Sequence, residues 1–401
     1  MVGIPMLSRT ALSVDEKTLP LYSDVRELEG IRRIYQYNAG VWDNWAKFIR
    51  KGGKVVGTLA NPPMEMLRAA GVFSVIYKRR EDLNRTIIKG DYKLSKWIYH
   101  FGIGECVCRY VSGSAGSPIL GACPGYDLVI TDFIPKIPEW NSLLGIVGKE
   151  WQFDFLEIDY GVGKREREEV IYSKLVHLKE RLERLTGKEI TDDKLRESIE
   201  LTNEISKIFW KIDGLVKEEP HPLKSFDIYN LKVICTDYIG GIAEELLGTC
   251  HLLADELEDR VERGIGYEGK KILLAGGFRS EFLHAIDENK GIVTAAWPYQ
   301  RFTAHRELIE NGSDALRYLA RSYAGHAGFS AEEDGEDFAD LVKHYDIDAV
   351  IYHRQCPFGS LAVYDSYSEI KANLDIPFLT IEATEEYPRK LIGDFLRRLD
   401  D

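Results

Sequence analysis

The sequence predicts an α/β protein with two parallel-sheet domains, a helical arm before the first domain and a helical segment between the two. Short apolar runs alternate with helix-periodic segments in the first half and again in the C-terminal third, which is typical of parallel sheets. A long, charged, helix-periodic stretch separates these two regions. With 401 residues, the chain is also too long for one ordinary core.

The first elements follow from apolar spacing and helix-stop signals. Apolar side chains recur at helical spacing over residues 24–51, and a glycine pair ends this predicted helix. Residues 54–59 predict a short strand. The segment PPMEMLRAAG, residues 62–71, starts with prolines and ends with glycine, so a helix is expected there. The next strand is predicted at VFSVIY, residues 72–77.

The remainder of the first α/β region contains the cysteine-rich part of the chain. A helix is predicted near residues 90–100, followed by a loop over residues 102–125. The strand DLVITDF, residues 127–133, follows this loop.

The charged middle region predicts three helices. Residues 164–216 fit two helices broken at Gly187, with Thr191 capping the second helix. A third helix is predicted from about residue 238 to residue 263.

The C-terminal third again alternates strands and helices. Strands are predicted at KKILLAGGF, at GIVTAAW and over residues 347–352 and 377–383, with helices between them and a terminal helix. The predicted limits are 1–52 for the arm, 53–163 for the first α/β domain, 164–263 for the helical segment and 264–401 for the second α/β domain.

Composition excludes several classes of protein. A formal net charge of -13 argues against a general nucleic-acid binder, because phosphate binding needs an excess of basic side chains. No apolar run approaches the roughly 20 residues that span a bilayer, and the first residues lack the apolar stretch of a signal peptide. We therefore expect a cytoplasmic protein that binds neither nucleic acid nor membrane.

Four of the six cysteines lie in predicted loops. These are Cys106 and Cys108 in GIGECVCRYVSGSAGS, Cys123 in GACPGY and Cys356 in HRQCPFG, directly after a predicted strand. Loop thiolates suit zinc or an iron–sulfur cluster, although no CxxC pair accompanies them and plain burial stays open as an alternative. Burial is the favoured interpretation for Cys235 and Cys250, which lie in apolar stretches.

Other candidate groups carry weaker signals. Glu65 follows paired prolines near a strand end, so it is either a rigidly held functional carboxylate or an ordinary charge at a helix start. The glycines of LLAGGF could approach a phosphate, but a tight turn is favoured. Three scattered histidines, His305, His326 and His353, receive no catalytic role by themselves.

Four stretches together carry a family resemblance. They are VVGTLANPPMEMLRAAGVFSV, LERLTGKEITDDKLRESIELTNE, KKILLAGGF, and DLVKHYDIDAVIYHRQCPFG followed by NLDIPFLTIEA. Over most of residues 53–399 the chain resembles the 2-hydroxyacyl-CoA dehydratase and benzoyl-CoA reductase family, of the 2-hydroxyglutaryl-CoA dehydratase D-component type.

The resemblance implies a specific chemistry and assembly. Two Rossmann- or flavodoxin-like domains are expected, with a homologous second subunit and a [4Fe-4S] cluster held by cysteines. An ATP-hydrolysing activator protein would deliver a low-potential electron, so that a ketyl radical forms on an acyl-CoA thioester. The implied reaction is dehydration by a lyase or, second, reduction by an oxidoreductase.

Matched positions suggest which residues serve these roles. Cys356 is the clearest cluster ligand, Cys108 matches the first ligand best, and a shift of two residues would choose Cys106 instead. Thr58 and Glu65 match positions near the substrate, where a hydroxyl and a carboxylate help to move protons.

The chain also departs from the family pattern. Relatives usually carry a ligand cysteine after the strand equivalent to residues 127–133, often followed by Asp-Gly-Lys, but here the sequence reads DFIPKIPEW. Cys123, before that strand, resembles a cysteine found in some reductase-like relatives, and this resemblance makes it the candidate third ligand. Either the ligand set is rearranged in this way or the cluster is altered. The segment YAGHAGF, residues 323–329, lacks a cysteine that relatives carry as well.

Two alternative functions therefore stay open. One is a single-subunit reductase of small molecules with a larger cluster, which the low cysteine count disfavours. The other is a cluster-poor structural or CoA-binding partner of a catalytic sister subunit.

Overall fold

The computed structural model confirms the predicted fold class, with two four-stranded parallel sheets and helices packed around them. It describes residues 23–58, 62–76, 126–130, 152–154, 156, 158, 162–236, 243–276, 280–297, 308–310, 312–325, 331–354, 374–382 and 388–399. The predicted helix near residues 90–100 and the loop over residues 102–125 lie outside the described residues.

The N-terminal arm is one long helix, α1 (Glu29–Arg50). It begins later than predicted, because the amides of Glu27 and Leu28 both bond to the Asp24 carbonyl oxygen at 2.9 Å and form a turn. Near the other end of α1, the buried Trp45 ring stacks on Tyr126 with 5.3 Å between ring centroids. The arm therefore packs against residues that lead into the first sheet.

The first sheet has the strand order β2-β1-β3-β4, with all neighbours parallel. The short helix α2 (Met64–Ala69) joins its first two strands. Apolar side chains on both faces are buried, as expected for strands covered on both sides. The strands are β1 (Val55–Thr58), β2 (Phe73–Ile76), β3 (Leu128–Ile130) and β4 (Phe153–Asp154); the last was not predicted, because two residues give too short a pattern.

The helical segment begins and breaks where its capping signals lie. Helix α3 (Lys164–Thr186) ends at Gly187, which has the left-handed φ of 67°. Helix α4 (Asp192–Val216) starts at Thr191, whose hydroxyl oxygen accepts a hydrogen bond from the Lys194 amide at 3.3 Å. Both predicted boundaries are thus confirmed.

Two more helices complete this segment. Helix α6 (Ala243–Glu262) corresponds to the predicted third helix. Helix α5 (Ser225–Thr236) was not predicted, because its apolar residues are spread around the helix and leave no clear stripe.

The second sheet repeats the topology of the first, with the order β6-β5-β7-β8 and parallel neighbours throughout. In both sheets the first strand in sequence lies between the second and the third. The elements are β5 (Lys270–Gly276), α7 (Ser280–Glu288), β6 (Gly291–Trp297), α8 (Ala315–Gly325), α9 (Ala331–His344), β7 (Ala349–Arg354), β8 (Phe378–Glu382) and α10 (Pro388–Arg397).

The hydrophobic cores do not follow sequence order throughout. Helices α7 and α10 cover one face of the second sheet, and α9 covers the other. Helix α8 follows β6 in sequence, yet its buried face joins the core of the first sheet, together with α2, α3 and the first half of α4. A segment far along the chain thereby reaches the first sheet, and the predicted domain limits stay a prediction.

Within the described part of the chain, no helix combines the length and apolar character needed to cross a bilayer.

Candidate functional site

The carboxyl end of β1 is a natural place for a ligand. In an open parallel sheet, ligands bind where the strand order reverses, outside the carboxyl ends of the strands. In the first sheet this reversal lies between β1 and β3, because β1 pairs with β2 on one side and with β3 on the other. Thr58 is the last residue of β1 and therefore lies at this edge.

Thr58 places a buried hydroxyl at this edge. The residue is 0% exposed, and among the described residues no hydrogen-bond partner lies within reach of its Oγ1. A buried hydroxyl without a partner costs about 1–3 kcal/mol, so such groups usually have a reason to be retained. The position suits a hydroxyl that bonds to a bound substrate.

Glu65 lies in the first turn of α2, just beyond the same strand end. Its side chain is 0% exposed, which excludes the interpretation as a solvated charge at a helix start. The Tyr323 hydroxyl lies 3.1 Å from Glu65 Oε2 and 2.9 Å from the Pro62 carbonyl oxygen, and it can donate its one proton to either acceptor. The carboxyl group is thus enclosed and oriented by the protein.

Helix α2 is itself fixed in place by the helical segment. Arg68 Nη1 donates to the Ser198 carbonyl oxygen at 2.9 Å and approaches the hydroxyls of Ser198 and Thr202, all on α4. The buried side chains of Met66 and Leu67 join the core of the first sheet. Glu65 is therefore carried on a short helix that is held from several sides.

Tyr323 completes this site, and no local sequence pattern marks it as a functional residue. It lies near the end of α8, on the same buried face as Leu319 and Ala320. Its spacing therefore indicates an ordinary aromatic residue of the core. The only sequence signal is its position at the start of YAGHAGF, where the family resemblance already marks a changed segment.

In the second sheet the strand order reverses between β5 and β7. Gly276 ends β5 with a φ of 91°, and a Cβ added there would lie 2.3 Å from the His353 carbonyl oxygen. Only glycine fits this close approach. The His353 ring is buried edge-on against Phe282 with 4.9 Å between centroids, which agrees with a packed histidine and not with a free catalytic group.

The candidate ligand cysteines fall outside the part of the chain that the structure describes. This applies to Cys106, Cys108, Cys123 and Cys356, although Cys356 lies only two residues beyond Arg354, the last residue of β7. Among the described residues, no group of three or more His, Cys, Asp or Glu side chains is arranged to hold a metal ion. The four loop cysteines therefore stay predicted ligands.

Cys250 tests the burial interpretation directly. It is buried within α6, and burial raises the pKa of its thiol to about 12. Its position inside α6, within the apolar core shared by α1, α4, α5 and α6, is typical of a structural thiol. The prediction that Cys250 is buried is confirmed, and the loop cysteines stay the predicted ligands.

Comparisons with known proteins agree with the resemblance seen in the sequence. The (R)-phenyllactyl-CoA dehydratase alpha subunit of Clostridium sporogenes is 20% identical over 376 residues, covering 84% of this chain and 86% of that protein. One subunit of the benzoyl-CoA reductase of Thauera aromatica is 44% identical over 59 residues, which is 15% of each chain. The sequence profile described as 2-hydroxyglutaryl-CoA dehydratase, D-component, matches residues 60–400. The chain therefore belongs to the 2-hydroxyglutaryl-CoA dehydratase D-component family.

Proposed function

We propose that this chain is the iron–sulfur subunit of an anaerobic 2-hydroxyacyl-CoA dehydratase or of a related acyl-CoA reductase of the benzoyl-CoA type. The observation that carries the proposal is the buried Glu65 carboxyl, enclosed by Tyr323 beside the carboxyl end of β1. A buried carboxyl group at the reversal point of a parallel sheet is suited to proton transfer in a site shielded from water. Family membership supplies the class of substrate, an acyl-CoA thioester.

Two side chains at this edge would act on the substrate itself. Glu65 would take up or release the proton that the substrate must lose or gain. The Thr58 hydroxyl would donate a hydrogen bond to a substrate oxygen and so satisfy the group that is buried without a partner among the described residues. Both roles need only the burial and position described above.

The cluster would be held by loop cysteines. We propose Cys108, Cys123 and Cys356 as the ligands, with Cys106 as the alternative to Cys108. When bound by these three thiolates, a [4Fe-4S] cluster would supply the low-potential electron for ketyl radical formation on the thioester, and it would also supply a Lewis acid. Cys250 is not among the proposed ligands, because its thiol is buried in an apolar core.

The proposed enzyme requires partners. A homologous second subunit would complete the active site, and an ATP-hydrolysing activator protein would provide the electron. Both relatives are named as subunits of their enzymes, which supports a role in a larger assembly.

The first experiment is anaerobic purification of the chain alone, followed by iron and acid-labile sulfide analysis and an EPR spectrum of the reduced protein. About four irons per chain are expected if a [4Fe-4S] cluster is present. Changing Cys123 or Cys356 to serine should lower bound iron, whereas Cys250→Ala should leave it unchanged. Unchanged iron in Cys123→Ser would remove that residue from the ligand set.

A second candidate function rests on the missing cysteine after β3. Because the sequence reads DFIPKIPEW where relatives usually carry a ligand, the chain could be a cluster-poor structural or CoA-binding partner of a catalytic sister subunit. Absence of iron from the anaerobically purified chain, combined with activity of the assembled complex, would favour this candidate. Turnover by the chain alone with a small-molecule substrate would instead indicate a single-subunit reductase.

A further inference from the structure

Tyr323 joins two distant parts of the chain at the proposed active site. Its hydroxyl lies 3.1 Å from Glu65 Oε2 and 2.9 Å from the Pro62 carbonyl oxygen, and its ring is buried in the core of the first sheet. Pro62 and Glu65 flank the start of α2, directly after the carboxyl end of β1. One hydroxyl from α8 therefore contacts both the entry to α2 and the carboxyl group that α2 carries.

The Tyr323 hydroxyl has one proton and two acceptors within reach, so the protonation state of Glu65 decides which acceptor receives it. A phenol hydroxyl has one proton to donate, and a backbone carbonyl oxygen can only accept. An ionised Glu65 also only accepts, so the Tyr323 proton then points to the carboxylate, the stronger acceptor of the two. When Glu65 is protonated, its own O–H can donate to the phenol oxygen, while Tyr323 donates to Pro62.

Rotation about a single C–O bond thus satisfies both protonation states of Glu65. A group that must gain and lose a proton during turnover needs such a partner, because a buried polar atom left without a hydrogen bond costs about 1–3 kcal/mol. A phenylalanine at this position would fill the same space but could satisfy neither state.

The rest of the site allows the hydroxyl to be removed without moving the helices. Helix α2 is held independently, because Arg68 bonds to α4 through the Ser198 carbonyl oxygen. Helix α8 is held by its apolar face, which includes the buried Leu319 and Ala320. Loss of the Tyr323 hydroxyl should therefore remove this contact with the carboxyl group and leave the backbone of α2 in place.

We propose that Tyr323 is a positioning residue, which orients the Glu65 carboxyl in both its ionised and its protonated state during proton transfer. This inference rests on the proposed function, since it assumes that Glu65 moves a substrate proton. The geometry of the hydroxyl between its two acceptors is the observation that carries it.

The decisive experiment is a double-mutant cycle in the assembled enzyme with its acyl-CoA substrate. Tyr323→Phe should lower kcat about tenfold with little change in KM, because substrate binding is left intact. In a Glu65→Gln background the same change should lower kcat less than about twofold, because the residue through which Tyr323 acts is already absent. Equal losses in both backgrounds would overturn the positioning role.

A matched control comes from the same helix. Tyr318 is half-buried on α8, and Tyr318→Phe removes a phenol hydroxyl without touching Glu65. This variant should keep the parent kcat in both backgrounds. A loss as large as that of Tyr323→Phe would mean that α8 is simply sensitive to substitution and would contradict the proposal.

A second readout separates this inference from the proposed function. Glutamine is neutral and carries a donor, so it imitates the protonated carboxyl group. If Tyr323 supports both states, Tyr323→Phe should raise the unfolding equilibrium constant roughly fivefold in the parent and in the Glu65→Gln background. No effect in the glutamine background would show that the hydroxyl serves only the ionised state and would overturn the inference whatever the activity. Full turnover by Glu65→Gln alone would instead overturn the proposed role of Glu65.

Discussion

The interpretation of Glu65 depends on whether its side chain is buried. From the sequence it is equally an ordinary charge at a helix start, but the structure buries its side chain completely and places the Tyr323 hydroxyl against it. A buried carboxyl group beside a strand end has few structural reasons to exist, because burying an ionisable group costs free energy. Proton transfer, the role proposed for Glu65, would be such a reason.

Glu65→Gln keeps the shape of the side chain and removes its ability to exchange a proton. We expect turnover with an acyl-CoA substrate to fall by about 10²-fold, within the range found for general acid–base groups, with iron content unchanged. The measurement is steady-state kinetics together with iron analysis. Glu166→Gln is the matched control, because Glu166 is an exposed glutamate in the first turn of α3. Full activity of Glu65→Gln would reduce this residue to a structural role.

The helical segment shows which elements local sequence can specify. Gly187 ends α3 with a φ of 67°, and Thr191 starts α4 by accepting a hydrogen bond from the Lys194 amide. Both signals act within a few residues, so the break between the two helices is readable from the sequence. The apolar residues of α5 are spread around the helix and form no clear stripe, and this helix packs against β6 and α7.

Two glycine substitutions test whether the left-handed conformation at Gly187 stabilises the end of α3. Gly187→Ala should lower the free energy of unfolding by about 1 kcal/mol, because a Cβ is disfavoured in the left-handed conformation. Gly214→Ala, inside α4 where no atom lies within 4 Å of an added Cβ, should raise it by about 0.5–1 kcal/mol. Chemical denaturation measures both values. If Gly187→Ala were as stable as the parent, the left-handed cap would not matter.

At the scale of the whole molecule, a bidentate ion pair connects the helices of the two sheets. The Arg167 guanidinium at the start of α3 is 2% exposed and donates to both carboxylate oxygens of Glu333 on α9, at 2.9 and 3.0 Å. Helix α3 belongs to the core of the first sheet, and α9 belongs to the core of the second. The ion pair therefore couples the two halves.

The Glu333 carboxylate offsets the free energy that is needed to bury the Arg167 guanidinium, so removing its charge should lower stability. We expect Glu333→Gln to lower the free energy of unfolding by about 2–3 kcal/mol, since it removes the carboxylate that accepts two hydrogen bonds from the buried guanidinium. Glu169→Gln breaks a more exposed pair with Arg317 at 2.8 Å and should change stability little. If Glu333→Gln and Glu169→Gln lowered the free energy of unfolding equally in denaturation experiments, the buried Arg167–Glu333 pair would contribute no more than an exposed ion pair.

Buried carboxyl groups also give the molecule a pH-dependent stability. Burial raises the pKa of Asp287 to about 7, against opposing hydrogen bonds from Ser225, and raises the pKa of Asp227 to about 7 with help from the nearby Asp24 charge. Between about pH 4 and pH 7 the folded protein then holds protons that the unfolded chain releases. Stability contributed by these groups is therefore present at low pH and is lost as the pH rises through 7.

Asp287→Asn removes one of these titrations at modest structural cost, because within the described part of the chain Asp287 Oδ2 has no hydrogen-bond partner. The fall in unfolding free energy between about pH 5 and pH 8 should shrink by on the order of 2 kcal/mol. Asp340→Asn, at an exposed position on α9, serves as the control and should keep the parent slope. An unchanged slope in Asp287→Asn would show that this carboxyl does not titrate in that range.

Local patterns in the sequence are enough to predict the fold class, the capped helices and most strands, because apolar periodicity and capping signals act over a few residues. Matched segments also identify the family, and with it the candidate roles of Thr58 and Glu65. The two-residue strand β4 and helix α5 carry too little pattern to be predicted.

Which distant residues meet is determined by the tertiary packing alone. Tyr323 and Glu65 are 258 positions apart, Arg167 and Glu333 are 166 apart, and Asp24 and Asp227 are 203 apart. Each partner looks ordinary in its own segment: a core aromatic, a helix charge, a turn residue. Tyr323 meets Glu65 because α8 packs on the core of the first sheet, and Asp24 meets Asp227 because the N-terminal arm and α5 share one core. Arg167 meets Glu333 because the starts of α3 and α9 come together. A local pattern contains no information about such long-range packing.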